Sequence, residues 1–373
     1  MIPAVASTLD EVVAEGLTER VVFGLTDGRE TTHLSAHGDA ATDSVFRLFS
    51  MTKLVGSLAA MMLIDRGAMS AEQPVADFAP EFDDLPVLDG FEDESGAPRL
   101  RPQRTQATIG DLMAHRSGCV YGEWNAPMRR WLRHAGVRQI DDSSMAGLTA
   151  IPLAFDPGTG WGYGTSIDWL GVAIQRATGE RLENWIPREI FAPAAVDELF
   201  FDLPESAEGR LVPARIFKDG AFAPLSMQRG GTPEHYPMGA ALFGTVPSFL
   251  NLLSAILRGD LLSDAATEAF FANRTPDLIF GAMKSTNPAA TADVDFFPGV
   301  PKSFAYAGLR VDEDAPGARR AGSVAWAGMQ NTHFWIDRES GLAAVLAMQH
   351  LPFVDANAMA VYRAAERAVY AER

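Results

Sequence analysis

The chain has 373 residues, of which 47% are apolar and 21% are charged, and 48 acidic residues against 31 basic ones give a formal net charge of −17. These values are typical of a soluble globular protein that buries a sizeable core in one large domain or two medium ones. The negative charge repels phosphate backbones and anionic lipid, which argues against nucleic acid and membrane surfaces as partners.

Cysteine content and hydropathy exclude further classes of protein and predict where in the cell the chain is found. Cys119 is the only cysteine, which excludes an internal disulfide and a multi-cysteine metal site. No uninterrupted apolar run approaches the roughly 18 residues that a membrane-spanning helix requires. The first 16 residues contain no basic leader and no apolar core, and they carry Asp10, Glu11 and Glu15. This segment is not typical of a secretory signal, so we expect a cytoplasmic protein with no membrane partner.

The first part of the chain is predicted to contain two helices and a pair of strands. A short amphipathic helix is expected over 8–18. Strands are expected over 20–25 and 30–36, because an Asp-Gly pair typical of a hairpin turn lies between them. A helix over 50–66 is expected to end at the glycine that follows it, since glycine readily adopts the left-handed conformation after a helix.

The middle of the chain is predicted to be mostly helical and the last part rich in strands. Segment 76–106 contains many Pro, Asp, Glu and Gly residues and is expected to be irregular. Further helices are expected over 107–116, 166–178, 182–192, 246–258 and 354–371. Beyond residue 300, strand patterns occur in SFAYAGLRV, GSVAWAG, THFWIDRE and LAAVLAMQ. Strands at both ends with helices between them predict one sheet built from both termini, with a mostly helical insertion.

The helix predicted over 50–66 carries an unusual charge pattern. From Ser50 to Ile64 the only charged residue is Lys53, and the helix is apolar almost all round, so we expect it to be buried. A buried lysine must find partners or lose its proton, because burial disfavours the charged form. Ser50 shares a helical face with Lys53 and lies where free backbone N–H groups favour developing negative charge. A nucleophilic serine requires these parts.

A simpler interpretation of the same residues is available. Ser50 is then only a helix-capping residue, and the side chain of Lys53 extends to solvent. Ser-x-x-Lys occurs often by chance, so the tetrapeptide alone favours this simpler interpretation. The absence of other charge in the helix supports the buried lysine and leaves the two interpretations close to balanced.

Five segments of the chain, taken in order, resemble the motifs of one enzyme superfamily. They are FRLFSMTK (46–53), TIGDLMAHRSG (108–118), DPGTGWGYGTSIDWLG (156–171), MGAALFGT (238–245) and SVAWAGMQNTHFWID (323–337). The first resembles the nucleophile motif of serine β-lactamases and penicillin-binding proteins. Together they resemble more specifically the class C β-lactamase-like esterases, known as family VIII carboxylesterases. The resemblance covers most of the chain from about 45 to 350.

This resemblance implies a fold and a domain organisation. The expected fold is α+β, of the β-lactamase/transpeptidase type, with an antiparallel sheet flanked by helices and a mostly helical second domain. We expect 1–70 and 240–373 to form the domain with the sheet and 71–239 to form the helical domain. The active site is then expected in the cleft between them.

The resemblance also implies roles for individual residues. Ser50 is the expected nucleophile, Lys53 its base partner and Tyr163 the catalytic tyrosine. Whether Lys53 or Tyr163 takes the serine proton stays open, because the two titrate as a coupled pair. The backbone N–H groups of Ser50 and Met329 are expected to form the oxyanion hole. Without the other motifs, the favoured interpretation of Tyr163 is a core aromatic beside Trp161 and Trp169.

Two positions depart from the β-lactamase pattern. Trp326 stands where β-lactamases carry the lysine of Lys-Thr-Gly, and Thr165 stands where they carry the asparagine of Tyr-x-Asn. Tryptophan offers an apolar face and one N–H but no positive charge, so these changes disfavour anionic β-lactams and fit neutral esters. The Trp-x-Gly form, which ends at Gly328, is itself typical of the esterase branch. Tyr121 and Trp124 either wall the acyl pocket or pack in the core.

The sequence lacks the motifs of several other enzyme classes. The sequence contains no G-x-S-x-G, no H-E-x-x-H and no P-loop. Its seven histidines show no metal-ligand spacing, so no metal or other cofactor is implied. His37 and His115 are expected to be structural. His235 and His333 lie in segments that flank the glycine-rich and Trp-Ala-Gly motifs, but neither is favoured as a residue of the cleft.

The leading functional interpretation is a serine esterase that cleaves small to medium carboxylic esters through an acyl-enzyme on Ser50. The alternative is a β-lactamase, a D-amino-acid peptidase or amidase, or an acyltransferase that uses the same Ser-Lys-Tyr site. A non-catalytic binding protein on this fold is a third interpretation, which the filled catalytic positions disfavour. The expected partner is a small-molecule ester. The sequence leaves the acyl group, the alcohol group and the oligomeric state open.

Overall fold

The structure, a computed structural model, describes residues 2–137, 139, 144–227 and 233–371. The α-helices in these ranges are α1 (Pro3–Ala14), α2 (Thr52–Asp65), α3 (Ile109–Met113), α4 (Ala126–Ala135), α5 (Met145–Thr149), α6 (Ser166–Thr178), α7 (Leu182–Ile186), α8 (Glu205–Glu208), α9 (Val246–Arg258), α10 (Asp264–Phe271) and α11 (Ala356–Tyr370). The strands are β1 (Arg20–Thr26), β2 (Thr31–Gly38), β3 (Val45–Arg47), β4 (Val87–Phe91), β5 (Pro98–Arg101), β6 (Leu199–Phe200), β7 (Arg215–Lys218), β8 (Ala221–Pro224), β9 (Phe243–Thr245), β10 (Lys302–Ala305), β11 (Gly308–Val311), β12 (Val324–Gly328), β13 (Thr332–Asp337), β14 (Leu342–Ala347) and β15 (His350–Leu351).

The largest sheet is antiparallel and has seven strands in the order β10–β11–β12–β13–β14–β1–β2. Strands β1 and β2 come from the start of the chain and the other five from its last quarter, which confirms the prediction of one sheet built from both termini. In the part of the chain that the structure describes, three smaller sheets have the orders β15–β7–β8, β3–β9–β6 and β4–β5. The second of these, through β3, leads the chain into α2.

Helices cover both faces of the large sheet, as two neighbouring residues of β13 show. The ring of Trp335 lies 5.8 Å from that of Tyr362 on α11, whereas the ring of Phe334 lies 5.7 Å from that of Phe249 on α9. Successive strand residues point to opposite faces, so α11 and α9 lie on opposite sides of the sheet. Phe334 also shares a small cavity with Leu54 of α2, which places α2 on the side of α9. Residues of β1, β13 and β14 are all buried as a result.

The boundaries of two predicted elements are corrected by the structure. The first helix spans Pro3–Ala14 rather than 8–18, because proline is well suited to the first helical position and its missing N–H costs nothing there. The segment 303–311, expected as one strand, is instead the hairpin of β10 and β11, in which Ala305 pairs with Gly308. A Cβ at Gly308 would lie 2.8 Å from a backbone oxygen of β12, so glycine permits this turn.

The region between α2 and α9 is less regular than the rest. The segment 76–106, expected to be irregular, contains the β4–β5 hairpin, and the helix expected over 182–192 is α7 followed by a π-helical turn at Pro187–Phe191. Within 71–239 the structure contains helices α3 to α8 and strands β4 to β8. The division of the chain into two domains stays a prediction. In the described ranges, no helix has the length and apolar character needed to cross a bilayer.

Candidate active site

Ser50 lies at a bend between β3 and the buried helix α2. It belongs to a 3₁₀ turn, Phe49–Met51, in which Phe49 has a φ of 44°. A non-glycine residue in this left-handed region is uncommon, and such backbone strain is concentrated at functional sites. Met51 occupies the N-cap position of α2, and no side chain caps the helix. Ser50 therefore does not serve as the helix cap, and its half-buried hydroxyl is left for other contacts.

Lys53 points into the protein and not to solvent. Its side chain is buried, in a helix whose residues from Thr52 to Leu63 are all buried. The Nζ donates to Ser50 Oγ at 3.1 Å, to the Tyr121 hydroxyl at 3.2 Å and to the Gly239 carbonyl at 2.8 Å. Each of its three ammonium protons thus has an acceptor. The nucleophile and its predicted partner are within hydrogen-bond distance of each other.

Two phenol rings enclose the Lys53 ammonium. The Nζ lies 4.8 Å from the ring centre of Tyr163 and 5.1 Å from that of Tyr121, which are distances at which a cation is attracted to an aromatic face. Burial raises the pKa of the Tyr121 hydroxyl well above its usual value, and the nearby charge of Asp168 adds to this effect. Tyr121 therefore acts as a neutral hydrogen-bond partner of Lys53. Sequence reasoning gave it only an apolar role.

Trp326 contacts the predicted catalytic tyrosine directly. Its indole Nε1 donates to the Tyr163 hydroxyl at 3.0 Å, and the two rings lie 4.7 Å apart. Trp124 packs against the same tyrosine, at a ring distance of 5.4 Å, and against Tyr121 at 6.3 Å. The single N–H of Trp326 is thus already used within the protein. A substrate carboxylate gains no donor from this side chain while the bond to Tyr163 persists.

The turn between β12 and β13 lies next to Ser50, where the oxyanion hole is predicted. Thr332 Oγ1 donates to the carbonyl of Leu48 at 3.3 Å. A Cβ at Gly328 would lie 2.3 Å from the same carbonyl oxygen, so only glycine allows β12 to approach this closely. Met329 follows in the turn. The fold thus brings the Met329 backbone to the edge where Ser50 lies, and the oxyanion hole itself stays a prediction.

The first turn of α6 places two further residues near the site. Asp168 is buried and accepts a hydrogen bond from the Gly239 N–H at 2.8 Å. Thr165 is also buried, close to the thiol of Cys119, whose pKa burial raises to about 12. A substrate contact by Thr165 stays a prediction. Neither Asp168 nor the Gly239 carbonyl was singled out from the sequence, although both lie in segments of the resemblance, 156–171 and 238–245.

The histidines near the cleft motifs are buried. The ring of His115 lies 5.0 Å from that of Tyr163, and burial, with the nearby charge of Lys53, lowers its pKa well below the usual value. Burial lowers the pKa of His333 to about 3, and its ring lies 4.7 Å from Tyr362 on the α11 side of the sheet. Both are therefore neutral near pH 7. Within the described ranges, no group of three potential ligands is arranged to hold a metal ion.

Comparisons with known proteins are consistent with this geometry. The profile of the Beta-lactamase family matches residues 5–368. Monacolin J acid methylbutanoyltransferase of Aspergillus terreus is 27% identical over 353 residues, which cover 88% of this chain and 83% of that protein. Lovastatin esterase of Penicillium rubens is 28% identical over 355 residues, which cover 91% of this chain and 88% of that protein. The unliganded structure of simvastatin synthase (LovD) from Aspergillus terreus shares the fold, with a TM-score of 0.83 at 23% identity over 100% of this chain and 98% of that one.

Proposed function

The chain belongs to the beta-lactamase family, and on that premise we propose that it is a serine hydrolase of small to medium carboxylic esters. The observation that carries the proposal is the 3.1 Å contact between Lys53 Nζ and Ser50 Oγ, beside the phenol rings of Tyr121 and Tyr163. A hydroxyl within hydrogen-bond reach of a group that takes its proton is the arrangement nucleophilic catalysis requires. Trp326 in the Trp-x-Gly motif supports a place in the family VIII carboxylesterase branch.

The reaction follows from the order of the groups. Ser50 Oγ attacks the ester carbonyl carbon while its proton passes to Lys53 Nζ or to the Tyr163 oxygen, whichever is unprotonated at that moment. The carbonyl oxygen becomes an oxyanion, which the N–H groups of Ser50 and Met329 stabilise. When the oxyanion collapses, the bond from the carbonyl carbon to the alcohol oxygen breaks, the proton goes to the departing alcohol, and the acyl group stays on Ser50. Water repeats the same steps, which releases the acid and restores the hydroxyl.

The polar groups of the site favour an uncharged substrate. All three donors of Lys53 are engaged, and the N–H of Trp326 is bonded to Tyr163. Neither side chain offers a charge-assisted hydrogen bond to a substrate carboxylate. A neutral ester needs only the oxyanion donors and an apolar surface, which Trp124 and Trp326 supply.

Acyl transfer to an alcohol is a second candidate function, because of the named activities of the relatives. One of them is a methylbutanoyltransferase and another an esterase, at similar identity to this chain. Both activities use one acyl-enzyme, and they differ in whether water or an alcohol attacks it. Turnover of p-nitrophenyl butyrate with and without a secondary alcohol separates them. Butyrate as the main product supports the esterase, and a dominant butyryl ester of the added alcohol supports the transferase.

Covalent labelling tests the proposed function itself. Incubation with a p-nitrophenyl alkylphosphonate is expected to add one phosphonyl group to the chain, because the activated Ser50 attacks phosphorus as it attacks an ester carbonyl. Intact-mass spectrometry followed by peptide mapping identifies the labelled residue. Labelling of another residue, or no labelling of a protein that hydrolyses esters, would remove Ser50 from the nucleophile role.

Trp326→Lys is expected to raise activity toward cephalosporins relative to esters. An added ammonium supplies the charge-assisted bond that a β-lactam carboxylate lacks in the native site, worth about 1–2 kcal/mol, or near tenfold in kcat/KM. The measurement is the ratio of kcat/KM for nitrocefin to that for p-nitrophenyl butyrate. The wild-type ratio is expected to be low.

Trp326→Met is the matched control for this prediction. Methionine resembles lysine in length and flexibility but has no charge, so it reports the effect of lost indole packing alone. The nitrocefin ratio should rise with lysine and not with methionine. Equal ratios in the two variants, or a wild type that cleaves nitrocefin as efficiently as the ester, would show that charge at this position does not set selectivity.

A further inference from the structure

The carboxylate of Asp168 is buried beside the catalytic cluster without touching Ser50. Its Oδ1 accepts from the Gly239 N–H at 2.8 Å, and the Gly239 carbonyl in turn accepts from Lys53 Nζ at 2.8 Å. A Cβ built on Gly239 would lie 2.9 Å from both oxygens of Asp168 and 3.1 Å from the Tyr121 hydroxyl. Asp168, Gly239, Tyr121 and Lys53 therefore form one compact group with no room for a side chain at its centre.

We infer that Asp168 is a positioning residue that acts on Lys53 through Gly239, an inference that rests on the proposed function. By accepting from the Gly239 N–H, the carboxylate fixes the direction of the Gly239 carbonyl. The bond from Lys53 Nζ to this carbonyl is the shortest of the three hydrogen bonds that Lys53 donates. Its negative charge also compensates the ammonium inside the protein, where an unpaired charge is costly. The aspartate thus sets both where Lys53 points and how firmly the site holds its proton.

A structural explanation of Asp168 exists and makes a different prediction. Asp168 is the third residue of α6, where a carboxylate stabilises a helix through its dipole. Asp111 has the same position in α3, with Thr108 as the N-cap, and its carboxylate accepts from the Thr108 N–H at 3.0 Å. Helix stabilisation alone predicts that the two aspartates behave alike. Action on Lys53 predicts that only Asp168 changes the pH dependence of catalysis.

The test is the pH profile of kcat/KM for p-nitrophenyl butyrate in the full-length chain. Asp168→Asn keeps an acceptor for the Gly239 N–H and removes the charge. Without that charge, the basic group releases its proton at lower pH, whether it is Lys53 or Tyr163. The acidic limb of the profile is therefore expected to move to lower pH, by about half a unit or more. The other titratable groups around this cluster are His115, Cys119, Tyr121, Glu123 and His235.

Two further variants make the outcome decisive. Asp168→Glu retains the charge and is expected to keep the wild-type acidic limb while kcat falls, because the longer side chain displaces Gly239. Asp111→Asn is expected to leave the profile unchanged. An unmoved acidic limb in Asp168→Asn, or an equal displacement in Asp111→Asn, overturns the inference while leaving the esterase proposal standing. If Asp168→Asn does not fold, a displaced acidic limb in Asp168→Glu overturns it. A wild type without ester hydrolysis refutes the proposed function instead.

Discussion

Replacing Ser50 with alanine is expected to reduce ester hydrolysis by at least about 10⁴-fold, because the oxygen that attacks the ester in the proposed reaction is removed. The fold should survive this change. The Ser50 hydroxyl donates no hydrogen bond to a helix terminus, and Lys53 keeps Tyr121 and Gly239 as acceptors when Oγ is removed. The measurement is kcat/KM for p-nitrophenyl butyrate, with thermal unfolding of the same preparation to verify that the variant is native.

Ser57→Ala is the matched control for this loss. Ser57 is a buried serine of α2, seven residues after Ser50, and it borders the small cavity beside Lys53. Its hydroxyl has no role in the proposed reaction, so activity should stay within a few-fold of wild type. Retention of more than about one percent of the activity in a clean Ser50→Ala preparation would assign the nucleophile elsewhere.

Elements with strong periodicity and clear end signals were predictable from the sequence. The helices expected over 166–178 and 246–258 coincide with α6 and α9, because Gly179 and Gly259 follow them in the left-handed conformation. Helices α5 and α8 have only five and four residues, which is too short for a helical period to show. Tertiary packing determines such short helices, and a single sequence does not reveal that packing.

The residues of the candidate site that lie close together in the sequence were predictable, and the contacts between distant residues were not. Ser50 and Lys53 are three residues apart, and the absence of other charge in their helix made them stand out. The bonds from Lys53 to Tyr121 and Gly239 join residues 68 and 186 positions apart, and no pattern in a single sequence encodes those contacts. The same holds for Trp326 and Tyr163, which are 163 positions apart. The bond from the Trp326 N–H to Tyr163 was therefore not predictable, and a substrate contact by Trp326 stays a prediction.

Lys53→Met and Tyr163→Phe are each expected to lower kcat by about 10³-fold or more, and the double variant should be little worse than the poorer single variant. The reason is that one proton must pass between Ser50, Lys53 and Tyr163, and residues that act as a unit lose most of the rate at the first deletion. Methionine fills the volume of the lysine side chain, so the loss is not confounded by a cavity. Pre-steady-state measurement of p-nitrophenol release separates acylation from the later steps.

Tyr121→Phe distinguishes the two phenols that surround Lys53. Tyr121 accepts a hydrogen bond from the ammonium, whereas the Tyr163 hydroxyl accepts one from Trp326. If Tyr121 is only a neutral partner, its removal costs one hydrogen bond to a charged group, equivalent to about 10- to 100-fold in rate.

Multiplicative losses in the double variant Lys53→Met/Tyr163→Phe would show that the two residues act in separate steps. If kcat falls further in Tyr121→Phe than in Tyr163→Phe, catalysis requires the Tyr121 hydroxyl, which is bonded to Lys53. The proton-relay role would then belong to Tyr121.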